Sequence, residues 1–179
     1  WKQSAFFLMI KNLKILFCFI LFCTFVPVLA VFFYPIEKMK THYPLFDEYR
    51  VLTGWSEERP KDWIKLSQMS RGAYGPIIAS EDGAFYQHDG VDMYELEQVV
   101  KQSWDKKKLI RGASTITMQL AKNLYLNKNR SLIRKLKEII LAKRMDDILK
   151  KRLILEYYLN IIEYGQDLYG IGNASRFYF

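Results

Sequence analysis

The sequence predicts a mostly α-helical domain preceded by one transmembrane helix. Residues 15–34, ILFCFILFCTFVPVLAVFFY, carry no charge over 20 positions. Beyond Pro35, apolar side chains recur at intervals of three and four behind residues that cap helices. No stretch there alternates apolar and polar residues as a half-buried strand does.

Twenty helical residues reach about 30 Å, the thickness of a bilayer's hydrocarbon core. Pro27 falls within the span, and a membrane helix tolerates it. Lys2, Lys11 and Lys14 precede the span with no acid among them, which assigns residues 1–14 to the cytoplasm and the rest of the chain to the far side. A cleaved signal peptide is the rival reading, since Val28-Leu29-Ala30 resembles a cleavage site, but the apolar run continues to Tyr34. The first residue is Trp1 rather than Met, so further residues are expected before it. Cys18 and Cys23 both lie in the span, which leaves the exported part with neither a disulfide nor a thiolate metal site. His42 and His88 are the chain's two histidines, too few to suggest zinc.

Residues 35–61, with Pro44, Gly54 and Pro60, read as an irregular stem, and the domain proper as 62–179. A short helix is expected over 62–69. Asp92 should cap a helix whose apolar positions are Met93, Leu96, Val100 and Trp104. Ser114 should cap the next, to about Leu126, with Ile116, Leu120 and Leu124 as its core stripe. Ser131 should cap a long helix through Leu132, Leu136, Ile139 and Ile140. A last one spans about 150–162, and Gly165, Gly170 and Gly172 then break the pattern.

Charge is concentrated in one third of the chain. Residues 101–152 hold sixteen Lys and Arg against four acids, a balance of +12 within a total of +8. A solvated helix face is the plain explanation. An anionic partner is the sharper one, and for an exported, tethered domain without a nucleic-acid module that means anionic lipid or a phosphorylated substrate.

Three patterns stand out. SEDGAFYQHDG, residues 80–90, sets Glu81, Asp82 and Asp89 among aromatics and His88, immediately after an apolar run. Thr115, Gln119 and Lys122 share one helix face, which is either ordinary surface or suited to a phosphate or sugar ligand. Arg134 and Glu138, four apart, would form a surface ion pair worth a few tenths of a kcal/mol. Glu156 and Asn160 also share a face, which alone says little.

In this order the patterns resemble the peptidoglycan glycosyltransferases, found as monofunctional transglycosylases and as the N-terminal catalytic domain of class A penicillin-binding proteins. The first family motif is matched by Glu81, Asp82, Phe85, His88 and Gly90, and the second by Gly112, Ser114, Thr115, Ile116, Thr117, Gln119, Lys122 and Asn123. Arg134, Lys135 and Glu138 match the third, while Lys151, Ile154, Leu155, Glu156, Tyr158, Leu159 and Asn160 match the fourth. Tyr169, Gly170, Ala174, Tyr178 and Phe179 match the fifth, so the likeness covers 76–179. Met118 stands where the family usually has a second glutamine, and Gln166-Asp167 where it tends to carry another glycine.

The resemblance implies a lysozyme-like helical domain with a smaller membrane-proximal subdomain, and further helices after Phe179. It implies a single-pass protein of the bacterial inner membrane, its catalytic domain on the extracytoplasmic side. The implied reaction polymerises lipid II into a glycan strand, with Glu81 and Glu138 as catalytic carboxylates. The implied substrate-binding residues are Asp82, Phe85, His88, Ser114, Thr115, Gln119, Lys122, Arg134, Lys135, Glu156 and Asn160. A divalent cation, Mg or Mn, is implied with Glu138 as the candidate ligand, and no organic cofactor. Implied partners are lipid II, the growing strand, the membrane and other cell-wall synthesis proteins, with no nucleic acid. A lysozyme-like muramidase or lytic transglycosylase is the rival class, but glycan cleavage needs a protonated carboxyl rather than a cluster of cations. A scaffold that has lost its chemistry is a third, disfavoured by the presence of both glutamates.

Residues 104–111, WDKKKLIR, combine lysines with Trp104, Leu109 and Ile110. One reading is a solvated loop whose lysines only aid solubility; the resemblance implies instead a mobile stretch of the smaller, membrane-proximal subdomain that flanks the groove. Replacing Lys106, Lys107 and Lys108 with Gln, in a chain without its apolar helix, should weaken co-sedimentation with anionic vesicles at low salt. Unchanged binding would rule this segment out as a membrane contact.

Overall fold

A computed structural model describes residues 2–106, 112–127, 129 and 131–179. It forms two compact units, Trp1–Tyr34 and Pro35–Phe179. The first is helix α1, Lys2–Leu29, followed by a 3-10 turn over Ala30–Phe33. This helix is long and apolar enough to cross a membrane, and its apolar side chains from Leu13 to Leu29 are largely exposed.

The second unit is mostly helical: α2 (Arg71–Glu81), α3 (Met93–Asp105), α4 (Ile116–Tyr125), α5 (Leu132–Ile148), α6 (Lys151–Ile161) and α7 (Ile171–Tyr178). Helix α4 is the centre, packed against both α5 and α6. The expected stripe of Ile116, Leu120 and Leu124 is buried, and so are Thr117, Met118 and Ala121. A helix covered on so many faces has little polar surface left, which is why Met118 can stand where a glutamine was expected. It packs with Val91 and Ala142 in the core.

The caps follow side-chain chemistry. Asp92 accepts from the Glu95 N–H and Ser131 from the Arg134 N–H, as expected. At α4 the cap is Thr115, not Ser114: its Oγ1 accepts from the Met118 N–H at 3.1 Å and donates to the Gly90 carbonyl at 2.6 Å.

Elsewhere the structure differs from what the sequence predicts. The stem is not irregular. Ile36 and Met39 of a 3-10 turn are buried, and β1 (Tyr43–Phe46) pairs antiparallel with β2 (Leu52–Ser56), Tyr43 opposite Ser56. Strands of four and five residues holding Pro44 and Gly54 are too short and too broken to show an alternating pattern. A second hairpin joins β3 (Glu163–Gly165) to β4 (Leu168–Tyr169). Its turn residue Asp167 takes φ 57°, a left-handed conformation that Asp tolerates in place of glycine.

Helix α2 was hidden by Gly72, Gly75 and Pro76, yet Ser70 caps it by accepting from the Ala73 N–H. Over 62–69 only Leu66–Gln68 winds, as 3-10, because neighbouring N–H groups go to side chains of α6 instead. Finally, α3 turns its apolar stripe outward: Met93, Val100 and Trp104 are 59%, 58% and 84% exposed, and Val99 is buried in their place. Residues 107–111, with most of the lysine-rich segment, lie outside the described residues.

The 63–66 segment is held by long-range bonds. Glu156 accepts from Trp63 Nε1 at 3.0 Å and from the Leu66 N–H at 2.8 Å. Asn160 accepts from the Ile64 N–H at 2.8 Å and donates back to its carbonyl at 2.9 Å. The Trp63 ring sits edge-on between Tyr43 and Tyr157, at 5.0 and 4.7 Å. At the first hairpin's turn Arg50, with φ 61°, lies between the rings of Phe46 and Tyr169, at 4.2 and 4.3 Å.

Glu156→Ala would leave two largely buried donors unpaired, at roughly 1–3 kcal/mol each. The urea midpoint should therefore fall by the equivalent of about 2 kcal/mol or more, and Glu156→Gln, which keeps an acceptor, should lose less. A midpoint unchanged in Glu156→Ala would show that the clasp contributes nothing.

Candidate active site

The site begins where α2 ends. Glu81 is its last residue and exposed; Asp82, the next, is buried and extended at φ −162°. The Asp82 carboxylate accepts from His88 Nε2 at 2.9 and 3.1 Å, and its Oδ2 also accepts from the Ile116 N–H at 2.9 Å. Its charge thus sits at the positive end of α4 and satisfies one of that helix's free donors. The His88 ring faces the carboxylate through Nε2, so Nε2 is the nitrogen that donates in this contact.

The loop after Asp82 is clamped to α5. Gly90 has φ +80°, and a Cβ there would lie 2.3 Å from the Ala142 carbonyl oxygen, so only glycine fits. Phe85 is fully buried, with the Lys151 ammonium 4.7 Å from its ring centroid. Asp82, Phe85 and His88 are therefore spent on seating the loop, while Glu81, at the end of α2, is exposed, as is Asp89 within the loop.

Helix α4 supplies the next groups. Gln119 Nε2 donates to Glu81 Oε2 at 2.9 Å, and the Tyr158 hydroxyl donates to Gln119 Oε1 at 3.2 Å. One turn further along the same helix is Lys122. Facing it from α5 are Arg134 and Lys135, both paired with Glu138, which is 3% exposed; Lys135 Nζ lies 3.0 Å from Glu138 Oε2. Lys135 also donates to Ser114 Oγ at 2.7 Å. The expected surface ion pair is thus a buried carboxylate shared by two cations, with a third nearby. Burial, then the Arg134 charge, lowers Lys122 below the ordinary lysine range. Lys135 is lowered by burial, then by Arg134 and Lys122.

Three cations around one carboxylate leave an excess of positive charge, the arrangement expected of a site for a phosphate-type anion. It does not fit a divalent metal. Both Glu138 oxygens face cations, and no group of three potential metal-ligating side chains gathers among the described residues. Glu156 and Asn160 are placed elsewhere, in the clasp on 63–66, where their polar atoms hold backbone and the Trp63 indole. Tyr158 is the residue that sequence reasoning left without a role. It matches the fourth motif where its buried neighbour Tyr157 does not, but the match assigns it no task.

A family model described as Transglycosylase matches residues 48–179. The chain belongs to the transglycosylase family. The match begins before residue 62 and takes in the second strand of the first hairpin, in keeping with the packing of that segment into the second unit. The chain is 42% identical to the biosynthetic peptidoglycan transglycosylase of Nitrosomonas eutropha over 117 residues, 65% of this chain and 48% of the relative. To that of Thiobacillus denitrificans it is 38% identical over 117 residues, 65% of this chain and 50% of the relative. To that of Janthinobacterium sp. it is 36% identical over 167 residues, 86% of this chain and 72% of the relative. The chain spans about half the length of the first two relatives.

The lowered Lys122 has a consequence for stability. A folded-state pKa below the unfolded one means that the unfolded chain binds the proton more readily. Stability should thus rise as pH climbs through the alkaline window up to lysine's ordinary value, and at neutral pH the cost of burying this charge beside Arg134 is fully present. An anion would relieve it. Inorganic pyrophosphate should raise the melting temperature at pH 7, less so in high salt and less so in Lys122→Met, which should itself melt higher than the parent without the ligand. Equal stabilisation of both proteins would remove Lys122 from the anion site.

Proposed function

We propose that the chain carries a peptidoglycan glycosyltransferase activity that polymerises lipid II into a β-1,4-linked glycan, with inversion and release of undecaprenyl pyrophosphate. The supporting observation is that α4 ties an exposed carboxylate to a cluster of cations. Gln119 bonds Glu81, and Lys122 on the same helix stands with Arg134 and Lys135.

The reaction needs both ends. The acceptor's 4-hydroxyl oxygen forms a bond to the donor's anomeric carbon as the bond from that carbon to the pyrophosphate oxygen breaks. The departing electron pair stays on the pyrophosphate, and the hydroxyl proton passes to Glu81. A sugar hydroxyl is a weak nucleophile near neutral pH, so a carboxylate within reach must accept its proton. Pyrophosphate leaves as an anion and needs charge stabilisation rather than protonation, which Lys122, Arg134 and Lys135 supply. Glu138 holds Arg134 and Lys135 in place.

The apolar helix α1 is compatible with a single-pass anchor. We take it to span the inner membrane with the second unit outside the cytoplasm, as the basic residues before the span favour. The lipid tail gives the tether its purpose, since each methylene drawn into water costs about 0.8 kcal/mol.

Glu81→Gln keeps shape and hydrogen bonding and removes proton affinity. Turnover with labelled lipid II should fall on the order of 10²-fold or more, with lipid II binding reduced much less. Muramidase digestion of any polymer identifies the product. Near-normal polymerisation by the variant would sink the assignment of Glu81 as base.

A further inference from the structure

We propose that Tyr158 is a positioning residue for the Glu81 carboxylate, acting through the side-chain amide of Gln119. The inference rests on the reading of Glu81 as the general base. Glu81 ends a helix and is exposed, so by itself its carboxylate has several rotamers open to it. Among the described residues its hydrogen-bond partner is Gln119 Nε2, at 2.9 Å. An ionised carboxylate only accepts, so the amide must turn its NH2 toward Glu81 and its oxygen away. That oxygen meets the Tyr158 hydroxyl at 3.2 Å, and the hydroxyl must then donate.

Tyr158 is able to do so. It is buried, and burial followed by the charges of Glu81 and Asp82 pushes its phenol well above the ordinary tyrosine range, so the proton stays. Its backbone is fixed as well. On the same helix Glu156 and Asn160 grip the 63–66 segment, and Tyr157 next to it packs on Trp63 and donates to the His42 carbonyl. Orientation therefore passes from rigid α6, through an amide on central α4, to a carboxylate at the end of α2. Without the hydroxyl, the amide oxygen loses its partner, the side chain is free to rotate, and the carboxylate loses the donor that holds it.

Tyr158→Phe keeps the ring and removes the donor. In steady-state polymerisation of lipid II by the full chain, kcat should fall roughly 3- to 10-fold with KM unchanged, the size expected for one neutral hydrogen bond. In a Glu81→Gln background the same change should cause no further loss. An equal loss in both backgrounds, or a loss carried by KM, overturns the proposal in favour of a packing role or a substrate contact. Should Tyr158→Phe fold poorly, Gln119→Met on a half-buried face must reproduce the kcat loss, and its failure to do so also overturns it. A readout independent of turnover is the Gln119 side-chain amide signal in 15N NMR, assigned by its disappearance in Gln119→Met. The signal should move in both Tyr158→Phe and Glu81→Gln, and an unmoved signal in Tyr158→Phe overturns the relay. If Glu81→Gln polymerises normally, the base assignment falls, while the amide signal still decides whether the relay exists.

Discussion

The Asp82 carboxylate accepts from the N-terminal end of α4 and from His88 at the same time, and the geometry around Glu81 follows from this. The residue before a fixed point is itself nearly fixed. With Asp82 buried against α4, Glu81 must emerge on the side of α4 that carries Gln119. Charge-assisted bonds of this kind contribute roughly 1.5–3 kcal/mol each, and the one from Ile116 joins residues 34 positions apart. Thr115 reinforces the joint by bonding Gly90 with the same hydroxyl that caps the helix. The glutamate-aspartate pair is thus divided: one carboxylate holds the frame and the other faces outward.

The cation cluster is unlike the Asp82 joint, where one carboxylate is met by the donors it needs. Arg134 and Lys135 share Glu138, and Lys122 adds a charge that burial and Arg134 both oppose. Such an excess lowers stability. Proteins accept local destabilisation at sites that bind ligands, and an excess of cations is the form of it that an anion would relieve. The same excess disfavours a dication beside Glu138.

Much of the second unit could be read from its sequence because the signals were local. Ile116, Leu120 and Leu124 repeat at helical spacing, Asp92 and Ser131 cap as their chemistry directs, and all are found in those roles. The failures share a cause. Whether Glu156 is a surface acid or an anchor depends on Trp63 and Leu66, some ninety residues away. The stripe on α3 has perfectly good helical spacing, but spacing does not say which face is covered, and Val99 is the one that is. Short strands interrupted by Pro44 and Gly54 had no period to detect. At the site, residue types and order identified the acidic and cationic groups. They could not separate Asp82 and His88, which seat the loop, from Glu81, which faces out, because that division is made by contacts with Ile116 and Gly90.

The clasp between α6 and the 63–66 segment also sets an order of events when the chain is made. The donors on Trp63, Ile64 and Leu66 wait for Glu156 and Asn160, separated from them by 93, 96 and 90 positions. Arg50 likewise waits for Tyr169 before it is enclosed. A chain synthesised from its N-terminus therefore carries the first hairpin and the following turn in an unfinished state until α6 has emerged. Contacts this distant slow folding, because a long loop must close before they repay it. If the chain is threaded across a membrane as it is made, its leading hairpin arrives on the far side before its anchors do. It can be completed only there, which keeps the unit pliable during passage and closes it on arrival.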